Sequence, residues 1–208
     1  MTSAVEQPPD SDATDARPPD PMATAVELRQ AMGAYVTGVT IVTTTLDGVD
    51  HAMTANAFTS VSLNPPLVLL CVERTTRFYA AVIASGVWAV SILDARSRSA
   101  AAWLATKGRP LEGQLDGIPH GRGRRIDAAV LDAALATLEC RTRARYDGGD
   151  HDILLAEVLS TSVPPPDGVL TSGEPLLYFR GAYGRLPVSV DDLPGGAEPR
   201  VHGGEPVR

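Results

Sequence analysis

The sequence predicts a mainly β domain, an antiparallel barrel with helical additions. Three observations carry that reading. Runs rich in β-branched residues are joined by hairpin signals, Asp47-Gly48 and Asp147-Gly148-Gly149-Asp150. Only two or three segments have helical spacing. Most gaps between strands are too short for the crossovers that parallel strands need, which disfavours a doubly wound sheet.

Each element has a local reason. Residues 23–34 place Val26, Leu28, Ala31 and Met32 on one face of a short helix, with Thr24 and Glu27 spaced as a capping box and Gly33 near its end. Residues 36–46 form a strand, Asp47-Gly48 a turn, and 49–58 the returning strand. After Pro65-Pro66, residues 67–72 make a short apolar third strand. Thr75 or Thr76 caps a helix over 77–84 that Gly86 ends; 87–93 is strand and 97–106 helix. Residues 107–125 carry five glycines and form the longest irregular segment, either a binding lid or a plain surface excursion. Residues 134–146 and 153–163 pair as strands, 176–179 is a last short strand, and the Pro/Gly-rich chain after Leu186 is loose. The domain therefore spans 23–186, between disordered tails at 1–22 and 187–208. Met22 leaves a second translation start open.

At 208 residues and 44% hydrophobic, the chain suits one domain with a proper core. The net charge of −7 sits mostly in the tails, where Glu6, Asp10, Asp12, Asp15 and Asp20 face only Arg17, and Asp191, Asp192, Glu198 and Glu205 face Arg200 and Arg208. The folded part is nearly neutral, so nothing argues for nucleic acid or an anionic membrane as partner. Cys71 and Cys140 lie in apolar runs without CxxC spacing and read as buried reduced thiols, which fits a cytoplasmic protein. The N-terminus lacks the pattern of a signal peptide, and no apolar run nears the ~20 residues that span a bilayer.

No GxGxxG follows a strand and no GxxxxGK[ST] occurs, so the nucleotide folds built on those loops are unsupported. The chemistry-bearing residues lie elsewhere. Residues 53–72, MTANAFTSVSLNPPLVLLCV, crowd Thr54, Asn56, Thr59, Ser60 and Ser62 into one segment, a density that suits backbone held close to a polar ligand. Thr37-Gly38-Val39-Thr40 would let backbone approach a flat ring, with Thr40 donating to its edge; a Thr-rich strand with one outward polar face is the alternative. Thr75-Thr76-Arg77 opens a helix and offers free N–H groups, dipole and guanidinium to a phosphate, or else is an ordinary cap. His151 beside Asp150 is a general acid/base, a metal ligand or an exposed turn histidine. The metal reading is weak, because no second ligand stands at suitable spacing. Tyr178, Phe179 and Tyr183 either stack on a flat cofactor or close a barrel edge, and Arg180 can pair with a pyrophosphate.

With YVTGVTIVTTTLDG, CVERTTRF, GGDH and PLLYFRGAYG in order around it, this segment resembles the flavin reductase-like family, from about Glu27 to Gly184. The resemblance implies an FMN-binding split β-barrel and an NAD(P)H:flavin oxidoreductase. Such an enzyme reduces FMN or FAD with NADH or NADPH, usually as a homodimer, and serves a flavin-dependent monooxygenase. It assigns flavin contacts to Thr37, Gly38, Val39 and Thr40, and to Thr54, Ala55, Asn56, Ala57, Ser60 and Ser62. It assigns phosphate to Thr75, Thr76 and Arg77, the nicotinamide to His151, and a cofactor role to Tyr178, Arg180 and Tyr183, with no metal. The chain departs from the family at Ala57, where Ser is commoner, at Asn64, where Asp is, and at Phe78-Tyr79, where Thr and His follow the Arg; Ala57 is left to backbone contact. Two rivals remain: a fixed flavin that reduces a ferric chelate, corrinoid or small organic acceptor, and a flavin or haem binding module without turnover.

Overall fold

A computed structural model describes residues 22–164 and 173–186. Apart from Met22, both proposed disordered tails lie outside the described residues. Helix α1 (Ala25–Gly33) carries the expected capping box: the Glu27 N–H donates to Thr24 Oγ1 at 3.3 Å and the Thr24 N–H to Glu27 Oε2 at 2.8 Å. Its apolar face does not enter a core. Val26, Leu28 and Met32 all stay more than half exposed, and the helix is tied at its C-terminal end, where the Arg180 N–H donates to the Gly33 carbonyl at 3.0 Å.

The strand expected over 36–46 is two, β1 (Thr37–Gly38) and β2 (Thr40–Leu46). Val39 separates them, donating to Leu176 at 3.2 Å and accepting from Leu93 at 3.0 Å. Asp47 and Gly48, both with positive φ (52° and 76°), turn β2 into β3 (Val49–Ala55) as a two-residue hairpin. The return strand stops at Ala55 rather than Phe58. Asn56 and Ala57 lead instead into β4 (Phe58–Leu63), which pairs across an Asn64–cis-Pro65 turn with β5 (Pro66–Glu73).

Next come α2 (Arg77–Ser85), closed by left-handed Gly86, then β6 (Val87–Leu93), a 3-10 turn at Ala95–Ser97, and α3 (Arg98–Ala105). The long glycine-rich segment is not wholly irregular. It holds β7 (His120–Arg122), paired with β8 (Ala129–Leu131), strands too short for any periodicity to reveal. The hairpin of β9 (Ala134–Gly148) and β10 (His151–Ser162) follows, then β11 (Leu176–Phe179) and β12 (Ala182–Arg185), turned at Arg180-Gly181. β12 also escaped the sequence reading, since Gly184 and the turn interrupt its alternation.

Every pairing is antiparallel, and the main sheet has seven strands in the order β3-β2-β6-β9-β10-β5-β4. β3 and β4 are the opposite edges of this sheet, yet only Asn56 and Ala57 separate them in sequence. Laid flat, six strand spacings would hold the edges roughly 29 Å apart. Two linking residues reach no more than about 11 Å. The sheet must therefore roll until its edges meet at that corner, giving an antiparallel barrel split between β3 and β4.

Rolling makes two cores. Inside lie Val42, Leu70, Val72, Trp88, Val90, Cys140 and Leu154, with Phe78 and Val82 of α2. Outside, Ile41, Ala52 and Leu93 are covered by Ala101 and Leu104 of α3, Leu115, Ala129 and Leu131, and Leu176. β2 is thus buried on both faces, and its threonines have internal partners: Thr43 Oγ1 donates to Ala129 O at 2.5 Å and Thr44 Oγ1 to Val87 O at 2.7 Å. The outward polar face considered for this strand is absent at those positions. Among the described residues no helix is long and apolar enough to cross a membrane.

Candidate functional site

A cavity of about 420 Å³ opens between the middle of β3, the β5–α2 junction, the end of α3 and the chain that follows α3. His51 to Thr54 form one wall, Glu73 and Thr75 to Phe78 a second, and Leu104, Lys107, Arg109, Leu111 and Gln114 the third. The α2 start is fixed by Thr76, whose Oγ1 donates to the Glu73 carbonyl at 2.8 Å and accepts from the Tyr79 N–H at 3.2 Å. Buried Asp152 holds the same helix to β10, accepting from Tyr79 Oη at 2.7 Å and from Arg74 Nε at 2.8 Å. Arg77 is the first helical residue, so its side chain and the free N–H groups of the first turn share the cavity mouth.

The third wall stands where it does because β3 is a sheet edge with unpaired backbone groups. Gln114, 3% exposed, satisfies them with its side-chain amide, accepting from the Ala52 N–H at 3.4 Å and donating to the Asp50 carbonyl at 2.5 Å. Arg109 donates to the Ala52 carbonyl, to Thr106 O at 2.9 Å and to Gln114 Oε1 at 3.3 Å. The segment that sequence left between lid and surface excursion thus begins as a fixed cavity wall.

The charge is lopsided. Arg77, Lys107 and Arg109 face one carboxylate, Glu73, which Lys107 contacts at 3.3 Å and to which Thr75 Oγ1 donates at 2.6 Å. Those two contacts, the Thr75 hydroxyl first, hold Glu73 below its ordinary pKa. The two arginines bond to carbonyls instead: Arg77 donates to the Arg109 carbonyl. Burial, then the neighbouring Arg77, lowers the pKa of Arg109. The same two causes lower that of His51, against the pull of Asp50. Two buried polar atoms of the cavity, His51 Nδ1 and Arg109 Nε, have no hydrogen-bond partner among the described residues. Three cations against one carboxylate, beside the start of α2, suit an anion. No group of His, Cys, Asp and Glu arranged to hold a metal occurs among the described residues.

The structure distributes the expected site residues over three places. Thr54, Thr75, Thr76 and Arg77 line the cavity, although the Thr54 hydroxyl donates to Ala101 O at 2.7 Å. His151 is the strand partner of Glu73 but is not among the residues that line the cavity, and its Nδ1 lies 2.6 Å from Asp150 Oδ1. At the split between β3 and β4, Asn56, Ala57 and Ser60 are exposed and Ser62 is half-buried beside a bulge; Ala55 is buried and accepts from Thr40 Oγ1 at 2.8 Å. A separate three-stranded sheet, β1-β11-β12, pairs Thr37 with Tyr178 and Gly38 with Leu177. There Tyr178 and Tyr183 meet edge to face at 5.5 Å, and the Arg180 guanidinium lies 5.2 Å over Phe179. Val39 is buried in the outer core, and none of these last residues lines the cavity.

Sequence reasoning missed His51, Glu73, Lys107, Arg109 and Gln114. For Lys107 and Arg109 the signal was available, two cations inside a glycine-rich segment of unknown role. For His51 and Gln114 it was not, because only the rolled edge of the sheet makes either a wall. Cys140 is buried as expected and its thiol is pushed up to about 12, whereas Cys71 is only half-buried.

Comparison with known proteins agrees with this architecture. The family described as "Flavin reductase like domain" matches residues 32–187. An NADH-dependent FAD reductase of Streptomyces globisporus is 42% identical over 151 residues, covering 71% of this chain and 82% of that protein. Among solved structures, BorF, the flavin reductase component of a bacterial two-component tryptophan halogenase, superposes with a TM-score of 0.72 at 36% identity, over 80% of this chain and 100% of that one. The NADH:FAD oxidoreductase SgcE6 of Streptomyces globisporus C-1027, in complex with NAD and FAD fragments, does so with a TM-score of 0.70 at 36% identity, over 77% and 92%. The order of motifs, the rolled antiparallel sheet and these matches agree: the chain belongs to the flavin reductase-like family.

Proposed function

We propose that the chain is an NAD(P)H-dependent flavin reductase that passes hydride from reduced nicotinamide to FMN or FAD and supplies the reduced flavin to a partner monooxygenase. The observation that carries this is the cavity at the α2 N-terminus, where three cations face one carboxylate. A flavin phosphate supplies what these groups lack. Thr75, Thr76 and Arg77, joined by Lys107 and Arg109, hold it. Thr54, Ala55, Asn56, Ala57, Ser60 and Ser62 offer backbone and side-chain groups to the ring and ribityl chain, and Thr37 and Gly38 of β1, Val39, and Thr40 at the start of β2 contribute beside them. The bound cofactors carry the redox chemistry, so the protein's part is orientation and exclusion of water. Hydride transfer needs no acid from the protein, and His151 therefore positions the nicotinamide.

In one chain Tyr178, Arg180 and Tyr183 lie apart from the cavity. We place them at the site through a homodimer, with the exposed apolar side chains of α1 as part of the contact. The two reduced thiols fit a cytoplasmic setting.

The test is oxidation of NADH and of NADPH by purified protein with and without catalytic FMN, FAD or riboflavin, read as loss of reduced-nicotinamide absorbance. Turnover dependent on added flavin supports the proposal. Flavin that stays bound through gel filtration while another acceptor is reduced favours a fixed flavin, and no oxidation with any pair overturns the reductase reading. Light scattering at the monomer mass of 21.9 kDa, rather than about twice that, would refute the dimer.

A further inference from the structure

His51 belongs to no motif of the sequence, yet its ring forms part of the cavity wall. The ring is oriented by what it cannot do. Nδ1 is enclosed by protein and has no partner among the described residues, so Nε2 is the nitrogen the ring offers to the cavity. A proton on Nδ1 would be a buried N–H with no acceptor, which is costlier than a buried lone pair left unpaired. A neutral ring therefore carries its proton on Nε2, facing the cavity. The imidazolium would need both protons, and with them the same orphaned Nδ1–H.

The surrounding charges favour the neutral form as well. Arg77 of α2 and Lys107 and Arg109 of the chain after α3 share the cavity with His51. Two acids oppose them. Glu73 of β5 is engaged by Lys107 and Thr75, and Asp50, next to His51 on β3, accepts from Arg122 at 2.6 and 2.9 Å and from Thr45 at 2.8 Å. Burial and Arg77 pull the ring's pKa below its ordinary value, in the direction the geometry requires.

We propose that His51 is a tautomer-locked, neutral binding residue that donates from Nε2–H to a phosphate oxygen of the flavin nucleotide. This rests on the reading of the cavity as the flavin phosphate site. The consequence is a division of labour between the two histidines near the site. His151 is half-buried and bonded to Asp150, while His51 donates from a neutral ring. Arginine and lysine provide the charge; His51 provides direction.

The test combines spectroscopy with paired ligands. Two-bond proton–nitrogen correlation spectra of protein labelled with 15N-histidine should show His51 with its proton on Nε2 and neutral at about pH 7, its titration displaced below that of an ordinary histidine. Dissociation constants for FMN and riboflavin, measured by flavin fluorescence quenching, should respond selectively. In His51→Gln the side-chain amide can still donate from the place of Nε2, so FMN affinity should stay within about threefold of wild type. His51→Phe should lose roughly tenfold or more on FMN, the scale of one hydrogen bond to a charged acceptor, with riboflavin unchanged. Circular dichroism melts of both variants separate lost contact from lost fold, and if the phenylalanine variant does not fold, His51→Ala takes its place with the same expected loss on FMN alone. A proton on Nδ1, an ordinary titration, or equal loss on FMN and riboflavin would overturn the role of His51 and leave the reductase reading standing. If wild-type protein binds neither flavin, the reductase reading falls and the proposed role falls with it.

Discussion

Glu139→Gln should destabilise the protein by an amount the structure allows one to work out. Glu139 lies on β9, 5% exposed, and accepts four hydrogen bonds. Oε1 takes the Arg124 N–H at 2.9 Å and Ser160 Oγ at 2.6 Å; Oε2 takes the Arg125 N–H at 2.7 Å and the Ile126 N–H at 2.8 Å. An amide has one acceptor oxygen. Its best placement keeps that oxygen on Arg125 and Ile126 and turns the NH₂ toward Ser160, whose hydroxyl can accept, leaving the Arg124 N–H without a partner. One orphaned donor and the loss of charge assistance on the remaining bonds cost about 2–4 kcal/mol. For a chain of this size that corresponds to roughly 5–15 °C in Tm, measured by calorimetry at pH 7. The pH dependence follows from the same contacts. Burial alone would raise the Glu139 pKa, but the Ser160 hydroxyl and three backbone N–H groups outweigh it and hold it below its unfolded value. The contribution is therefore complete above the unfolded pKa of about 4.3 and disappears as pH falls through the folded one. The gap between wild type and variant should stay constant above about pH 5 and narrow progressively as the pH falls below about 4.3. A shift of less than about 2 °C at pH 7, or a gap that widens in acid, would refute the reasoning.

Gly123→Ala tests the same clamp from the other side. A Cβ there would lie 2.5 Å from Glu139 Oε2 and 2.7 Å from the Ile126 carbonyl, one of them backbone, so we expect a loss of about 1–3 kcal/mol in urea unfolding. Arg77→Ala should weaken FMN roughly tenfold or more in equilibrium titration while sparing riboflavin; equal loss on both would remove Arg77 from the phosphate. Cys140, with its thiol pushed up to about 12, should resist iodoacetamide at pH 8 in the folded protein and react only in denaturant, as peptide mapping would reveal.

What sequence could and could not convey follows from the range of each interaction. Capping at Thr24-Glu27, the Asp47-Gly48 hairpin and the helix begun at Thr76 are set by residues within four positions of one another, and all three stand where expected. The motif segments were legible by resemblance, and with them the phosphate-suited start of α2. Which residues wall the cavity was not. His51 reads as one polar position in an alternating strand, and Gln114 as a loop amide, until the sheet rolls and leaves β3 as an edge needing partners. The break at Asn56-Ala57 was hidden for a related reason. Phe58 continues the apolar pattern of β3, and only its pairing with Leu70 reveals that it belongs to the opposite edge.

That break also bears on how the protein is made. The hairpins β2–β3 and β4–β5 emerge consecutively from the ribosome and never pair with each other. β6 docks on the first, but only the β9–β10 hairpin joins β6 to β5, and it is not synthesised until residue 162. The segment richest in candidate flavin contacts, complete by residue 62, must therefore wait about 100 further residues, several seconds at typical elongation rates, before the sheet around it can close. Until then the nascent chain carries strand edges that only its own late hairpin can cover.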